Sequence, residues 1–215
     1  MPRQNRKKEI LTALLKVLAS SRSSHVSTAQ LALEIGISEA ALYRHFPSKV
    51  KIYESLLRQE EENLLQEITK SNADKINSDV AARCRHTILI FFRYLEANPG
   101  LANLLISNDI SRSEDKISRR AHRIFRRLEG VLKEHYFEKR LDASDQPESS
   151  ADARIEFLIR MIKGYLLDFA DSNFKSKPSD RIALDWFLIE LIIVQDRGGE
   201  AILTNLKSNK RSDKP

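Results

Sequence analysis

Within residues 28–49, nine side chains form a set suited to the recognition of duplex DNA: Thr28, Ser38, Glu39, Ala40, Ala41, Tyr43, Arg44, His45 and Lys49. The guanidinium fork of Arg44 matches either the O6/N7 edge of guanine or a phosphate. Thr28, Tyr43 and His45 are placed to donate to phosphate oxygens, and Lys49 adds a positive charge beside them. Small Ala40 and Ala41 let a backbone approach closely and can meet a thymine methyl, while Ser38 and Glu39 share the N-terminal turn that enters a major groove best. The blander reading of the same residues is packing for Tyr43 and His45 and solvation for Arg44 and Lys49. Leu42 and Phe46 are assigned to the core.

These groups act together only if two short helices hold them. Ser27 is expected to cap a helix over 28–35, with Gln30 three residues on completing a capping box. Gly36 supplies the left-handed backbone of a tight turn, and Ser38 caps a further helix ending near His45. Ala32 leaves room where the helices cross, and Leu31, Ile35, Ile37 and Leu42 fill the wedge between them. A preceding helix over 5–20, with Ile10, Leu14, Val17 and Leu18 at helical spacing, brings Arg6, Lys7 and Lys8 to the same end. A helical corner with no DNA role would copy some of these features, but the cap, turn, crossing and charge coincide here.

Charge is distributed to match. The first 51 residues hold nine basic and three acidic side chains, and the other 164 hold 27 of each, so the whole net charge of +6 lies on the N-terminal segment. Attraction to phosphates would use it there.

The remainder reads as a larger helical body, so that the fold class is all-α: a helix-turn-helix domain over 1–50, a dimerisation and regulatory domain over 51–196, and a polar tail over 197–215. A long helix over 49–71, with Ile52, Leu56, Leu57, Leu64, Leu65 and Ile68 along it, ties reader to body. A helix over 79–97 is stopped by Asn98-Pro99-Gly100, another lies over 113–140, and 142–150 is expected to be a loop. The last two helices, over 151–173 and 179–194, are apolar on more than one face, which implies pairing with a second copy as a four-helix bundle. Arg112, Lys116, Arg119, Arg120, Arg123, Arg126 and Arg127 recur at helical spacing; a solvated face balanced by carboxylates is preferred to contact with DNA or an acidic partner.

Other classes find little support. His25, His86, His122 and His135 lack the spacing and companions of a metal site, and no Gly-rich phosphate loop or Ser-His-Asp arrangement stands out, so no catalysis, cofactor or metal is expected. Cys84 is the single cysteine, and nothing at the N-terminus has the order of a signal peptide, which suits a reducing cytoplasm. The most apolar stretches, 157–170 and 186–194, are broken by Arg160, Lys163, Asp168 and Glu190 and are too short to span a membrane.

The run Gly36-Ile37-Ser38-Glu39-Ala40-Ala41-Leu42-Tyr43-Arg44-His45-Phe46-Pro47-Ser48-Lys49 resembles the DNA-binding signature of the TetR family of bacterial regulators. A longer likeness joins Asn5-Arg6, Glu9-Ile10-Leu11, Asn98-Pro99-Gly100-Leu101, Phe174-Lys175, Pro178, Asp180 and Trp186 to the nucleoid-occlusion factors of that fold. It implies a nucleoid-associated homodimer, with pairs of dimers on palindromic DNA, that restrains the division protein FtsZ and so sets the site and timing of division. The FtsZ-facing surface implied for this chain comprises Ile90, Arg93 and Asn98. The competing expectation is a TetR-type repressor released from its operator by a small ligand held in the body.

Overall fold

A computed structural model describes residues 3–20, 26–72, 79–107, 115–137 and 148–194. Among them are nine helices: α1 (Arg3–Ser20), α2 (Thr28–Ile35), α3 (Glu39–His45), α4 (Lys49–Asn72), α5 (Val80–Ala97), α6 (Pro99–Ile106), α7 (Asp115–Phe137), α8 (Glu148–Asp171) and α9 (Pro178–Val194). The described residues contain no strand, and no described helix is long and apolar enough to cross a membrane. Arg112, the expected tail and most of the expected 142–150 loop lie outside the described residues.

Three elements depart from expectation. Asn98-Pro99-Gly100 does end α5, but Pro99 at once opens α6, because proline is suited to a first helical position whose N–H has no acceptor to reach. The Asn98 carbonyl takes the amides of Leu101 and Ala102 at 2.9 and 3.2 Å and makes the new first turn. At the other correction, Glu148, Ser149 and Ser150 are helical where a loop was expected.

The third departure is Ile90, expected on a partner-facing surface. It is only 8% exposed and belongs to the core. On α5 it lies beside Phe91 and Phe92, and its branched side chain gains more from that core than from water.

One hydrophobic core runs from the reader through the body. Ile10, Leu14 and Leu18 of α1 are fully buried; α1 packs on α2 and α3 on one side and on α6 on the other. The contact with α6 is close: a Cβ on Gly100 would lie 2.0 Å from the Leu15 carbonyl oxygen. Beside it, Asn103 Nδ2 donates to the Leu18 carbonyl at 3.0 Å and satisfies an acceptor near the end of α1. In the body, the ring of Phe91 meets Phe92 and Phe125 with centroids 6.1 Å apart in each case, and Phe92 meets Tyr165 edge-on at 5.9 Å.

Helix α4 is gripped from two sides by adjacent buried carboxylates. Glu60 accepts the Tyr94 hydroxyl of α5 at 2.7 Å, while Glu61 pairs with Arg127 at 3.5 Å and Arg120 at 4.0 Å, both from α7. Burial, then the bond to Glu60, pushes the Tyr94 phenol above its ordinary range and keeps it a neutral donor. Helices α8 and α9 are clasped in the same fashion, with Tyr165 donating to Asp185 at 2.6 Å.

Cys84 is fully buried on α5, and desolvation raises its thiol from 9.0 to about 12. The folded protein is therefore expected to resist thiol-directed reagents at neutral to mildly alkaline pH and to react once unfolded. Rapid labelling of native protein with an aromatic disulfide would contradict this placement.

Candidate nucleic-acid interface

The reader is built by its caps. Ser27 Oγ accepts the Gln30 amide at 3.0 Å and starts α2; Ser38 Oγ accepts the Ala41 amide at 3.1 Å and starts α3. Between them Gly36 sits at φ 67° and its amide closes α2, so the turn has the backbone that only glycine adopts without strain. Ala32 and Leu42 are buried at the crossing, and Leu31 packs with them. Ser48 Oγ accepts the Lys51 amide at 3.3 Å and begins α4 one residue after Pro47.

This leaves Ser38, Glu39, Ala40, Tyr43 and Arg44 exposed, with Ala41, His45, Thr28 and Lys49 half-buried at the edges of the same surface. The structure brings Thr28 and Tyr43 together across the two helices: the Tyr43 hydroxyl lies 3.4 Å from Thr28 Oγ1, although fifteen residues separate them. Two hydrogen-bonding groups, one from α3 and one from the start of α2, thus converge on the exposed surface. His45 Nδ1 has no hydrogen-bond partner among the described residues.

Neighbouring cations are held differently. The Lys49 ammonium lies 5.7 Å above the Tyr53 ring and the Lys7 ammonium 5.4 Å above the Phe46 ring, which fixes their stems against the core. Lys51 is engaged by Glu54 at 2.7 Å. That bond, before any other influence, holds the Glu54 carboxyl below its ordinary range. Sequence reasoning did not single out Leu33, which lies 81% exposed on α2. Its signal was available, since Leu33 is flanked by Ala32 and Glu34 and falls off the helical spacing of Leu31 and Ile35.

Of the surface residues expected to meet FtsZ, Arg93 is exposed near the end of α5, and Asn98 is half-buried with its Nδ2 donating to the Tyr94 carbonyl at 2.8 Å. Ile90 is buried in the core.

Residues 10–56 match the family model described as bacterial regulatory proteins, tetR family, and residues 78–193, more than half of the chain, match the tetracyclin repressor-like, C-terminal domain. The chain belongs to the tetR family. Within that family it is similar to the nucleoid occlusion factor SlmA of Citrobacter koseri, at 34% identity over 87% of this chain and 94% of that protein. The SlmA protein of Shewanella woodyi is 32% identical over 90% and 98% of the two chains. Among solved structures, a tetR-family transcriptional regulator from Streptomyces coelicolor superposes with a TM-score of 0.67 at 14% identity, covering 100% of this chain and 92% of its own. The regulator FadR from Bacillus subtilis, in complex with stearoyl-CoA, gives 0.68 at 16%, covering 88% and 99%. These two likenesses are of fold. As a tetR-family member the chain is a regulator and not an enzyme.

Proposed function

We propose that the protein is a DNA-binding nucleoid-occlusion factor: as a homodimer it docks α3 in the major groove of palindromic chromosomal sites and, so loaded, inhibits FtsZ assembly over the nucleoid. The observation that carries this reading is the exposed row Ser38, Glu39, Ala40, Tyr43 and Arg44 on one capped helix, in a chain whose likeness to nucleoid occlusion factors extends through the body. Arg44 reads guanine or holds phosphate; Thr28, Tyr43, His45 and Lys49 fix the register on the backbone; Ala40 and Ala41 admit the base edges.

The dimer forms through α8 and α9. Leu184, Phe187, Leu188 and Leu191 stand exposed at successive helical turns, between 38% and 75% open to solvent, with Phe157 and Leu167 of α8 also exposed. A monomer would leave this stripe in water, and a partner's copy of it would cover it. On the FtsZ side, Arg93 and Asn98 remain the candidate contacts.

The experiment has two parts. Lys49→Ala is expected to weaken binding to every duplex and to lower the slope of log affinity against log salt by about 1, while Arg44→Ala does the same or relaxes sequence preference. Full affinity in both variants would refute this docking. Co-sedimentation with FtsZ filaments, with and without bound DNA, tests the second half; a DNA-independent result sinks occlusion.

A ligand-released repressor is the second reading, favoured by one feature. A cavity of about 390 Å³ opens between α6, α7 and α8, lined by Leu104, Leu105, Phe125, Leu167, His122 and Lys163. A small amphipathic anion that bound there and released the DNA would support that reading over occlusion.

A further inference from the structure

The basic stripe of α7 divides into two sets. Arg120 and Arg127 turn toward α4 and pair with Glu61, and Lys133 is held by Glu129 and Asp152 at 2.8 Å each. The pairs made by Arg120 and Arg127 are of the carboxylate-balanced kind expected from sequence. Lys116, Arg119, Arg123 and Arg126 are a second set, exposed and spaced three or four residues apart along about 15 Å of helix. Among the described residues none of these four carries an ion pair.

Three features select the occupant of that second set. Its charge calls for an anion, and three of the four groups are guanidiniums, whose forks suit phosphate. Among the described side chains of α7 no large apolar one is exposed, so a folded or peptide partner would find no anchor beside these cations, whereas a polyanion with regularly spaced charges needs none. The third feature is position. Helix α7 climbs alongside α4 in the same direction: Lys116 and Arg120 act on Glu54, Arg120 and Arg127 reach Glu61, and His135 meets Asn72 at 3.3 Å. The stripe therefore begins beside the first turns of α4 and ascends along it, away from the end of α4 that joins the reader.

We propose that Lys116, Arg119, Arg123 and Arg126 form a second, sequence-independent contact for the phosphate backbone of duplex DNA, used by a segment other than the one held by the reader. This rests on the DNA-binding reading above, because a protein that never meets DNA has no use for the surface. The body then holds neighbouring DNA by charge alone, while the reader selects the site.

The test uses the full chain and a random-sequence duplex, with four proteins: wild type, Arg44→Ala/Lys49→Ala, Arg119→Gln/Arg123→Gln/Arg126→Gln, and all five changes together. With the reader neutralised, residual duplex binding is expected to persist. Adding the three glutamines should cut it at least about tenfold and lower the salt slope by about 3, near 0.9 for each lost phosphate contact. Lysine at the same three positions should restore the slope, which separates charge from folding. Residual binding that ignores the glutamines overturns the proposal, as does polyglutamate displacing the duplex at equal charge concentration, which would make the partner an acidic protein. Failure of the reader reading looks different: Arg44→Ala/Lys49→Ala then binds as tightly as wild type.

Discussion

Gly100→Ala is expected to destabilise the protein by about 3 kcal/mol, the upper end of what overpacking costs. The added methyl would sit 2.0 Å from the Leu15 carbonyl oxygen, 3.0 Å from its carbon and 3.1 Å from the Ala19 amide nitrogen. All three are backbone atoms of α1, so no rotamer change relieves the clash and the two helices must separate. At about 2–4 °C per kcal/mol for a chain of this size, the thermal midpoint should fall by roughly 6–12 °C. Gly130→Ala is the control: nothing lies within 4 Å of its Cβ position in α7, and removing a mid-helix glycine should be neutral or stabilising by up to about 1 kcal/mol. Equal midpoints for the two variants would show that α1 and α6 are not locked as described.

The second large effect is expected at α9. Phe187 and Leu188 are 70% and 61% exposed in the single chain, so replacing both with aspartate should leave the monomer folded. In a dimer the same changes bury two carboxylates per subunit without partners, which association cannot sustain. Sedimentation is expected to show a monomer where the wild type is a dimer. Affinity for a palindromic site should fall at least about a hundredfold, because the second half-site is no longer met at the effective concentration that linkage supplies. A variant that sediments as a dimer would mean that α8 and α9 pair through some other face, or not at all.

What could be read in advance follows from the range of the forces involved. The caps at Ser27 and Ser38 and the turn at Gly36 depend on residues within four positions of each other, and each is found in place. Boundaries of α2 and α4 needed only local spacing and turn residues. Helix α6 was missed because Pro99 and Gly100 were weighed as breakers, and their tertiary use, a first helical turn pressed against the α1 backbone, leaves no mark in local sequence. Ile90 shows the converse: the resemblance implied a partner-facing surface for it, but whether a neighbouring helix covers that side of α5 is settled by packing that no local pattern records. The meeting of Tyr43 with Thr28, and the division of the α7 cations into paired and unpaired sets, depend on how separate helices are juxtaposed. Spacing along one helix placed those arginines on a common side but could not place Glu61 opposite two of them.

The adjacent carboxylates of α4 bear on how a signal could pass between body and reader. Glu60 is tied to α5 and Glu61 to α7, and successive residues on a helix point about 100° apart. Helix α4 is thus keyed like a shaft with two splines: rotation about its own axis must shear both attachments, and sliding must shear both as well. Tilting carries α5 and α7 with it and breaks neither. In the dimer proposed above, such a tilt of the three-helix assembly would swing the two copies of α3 apart or together as a caliper opens and closes.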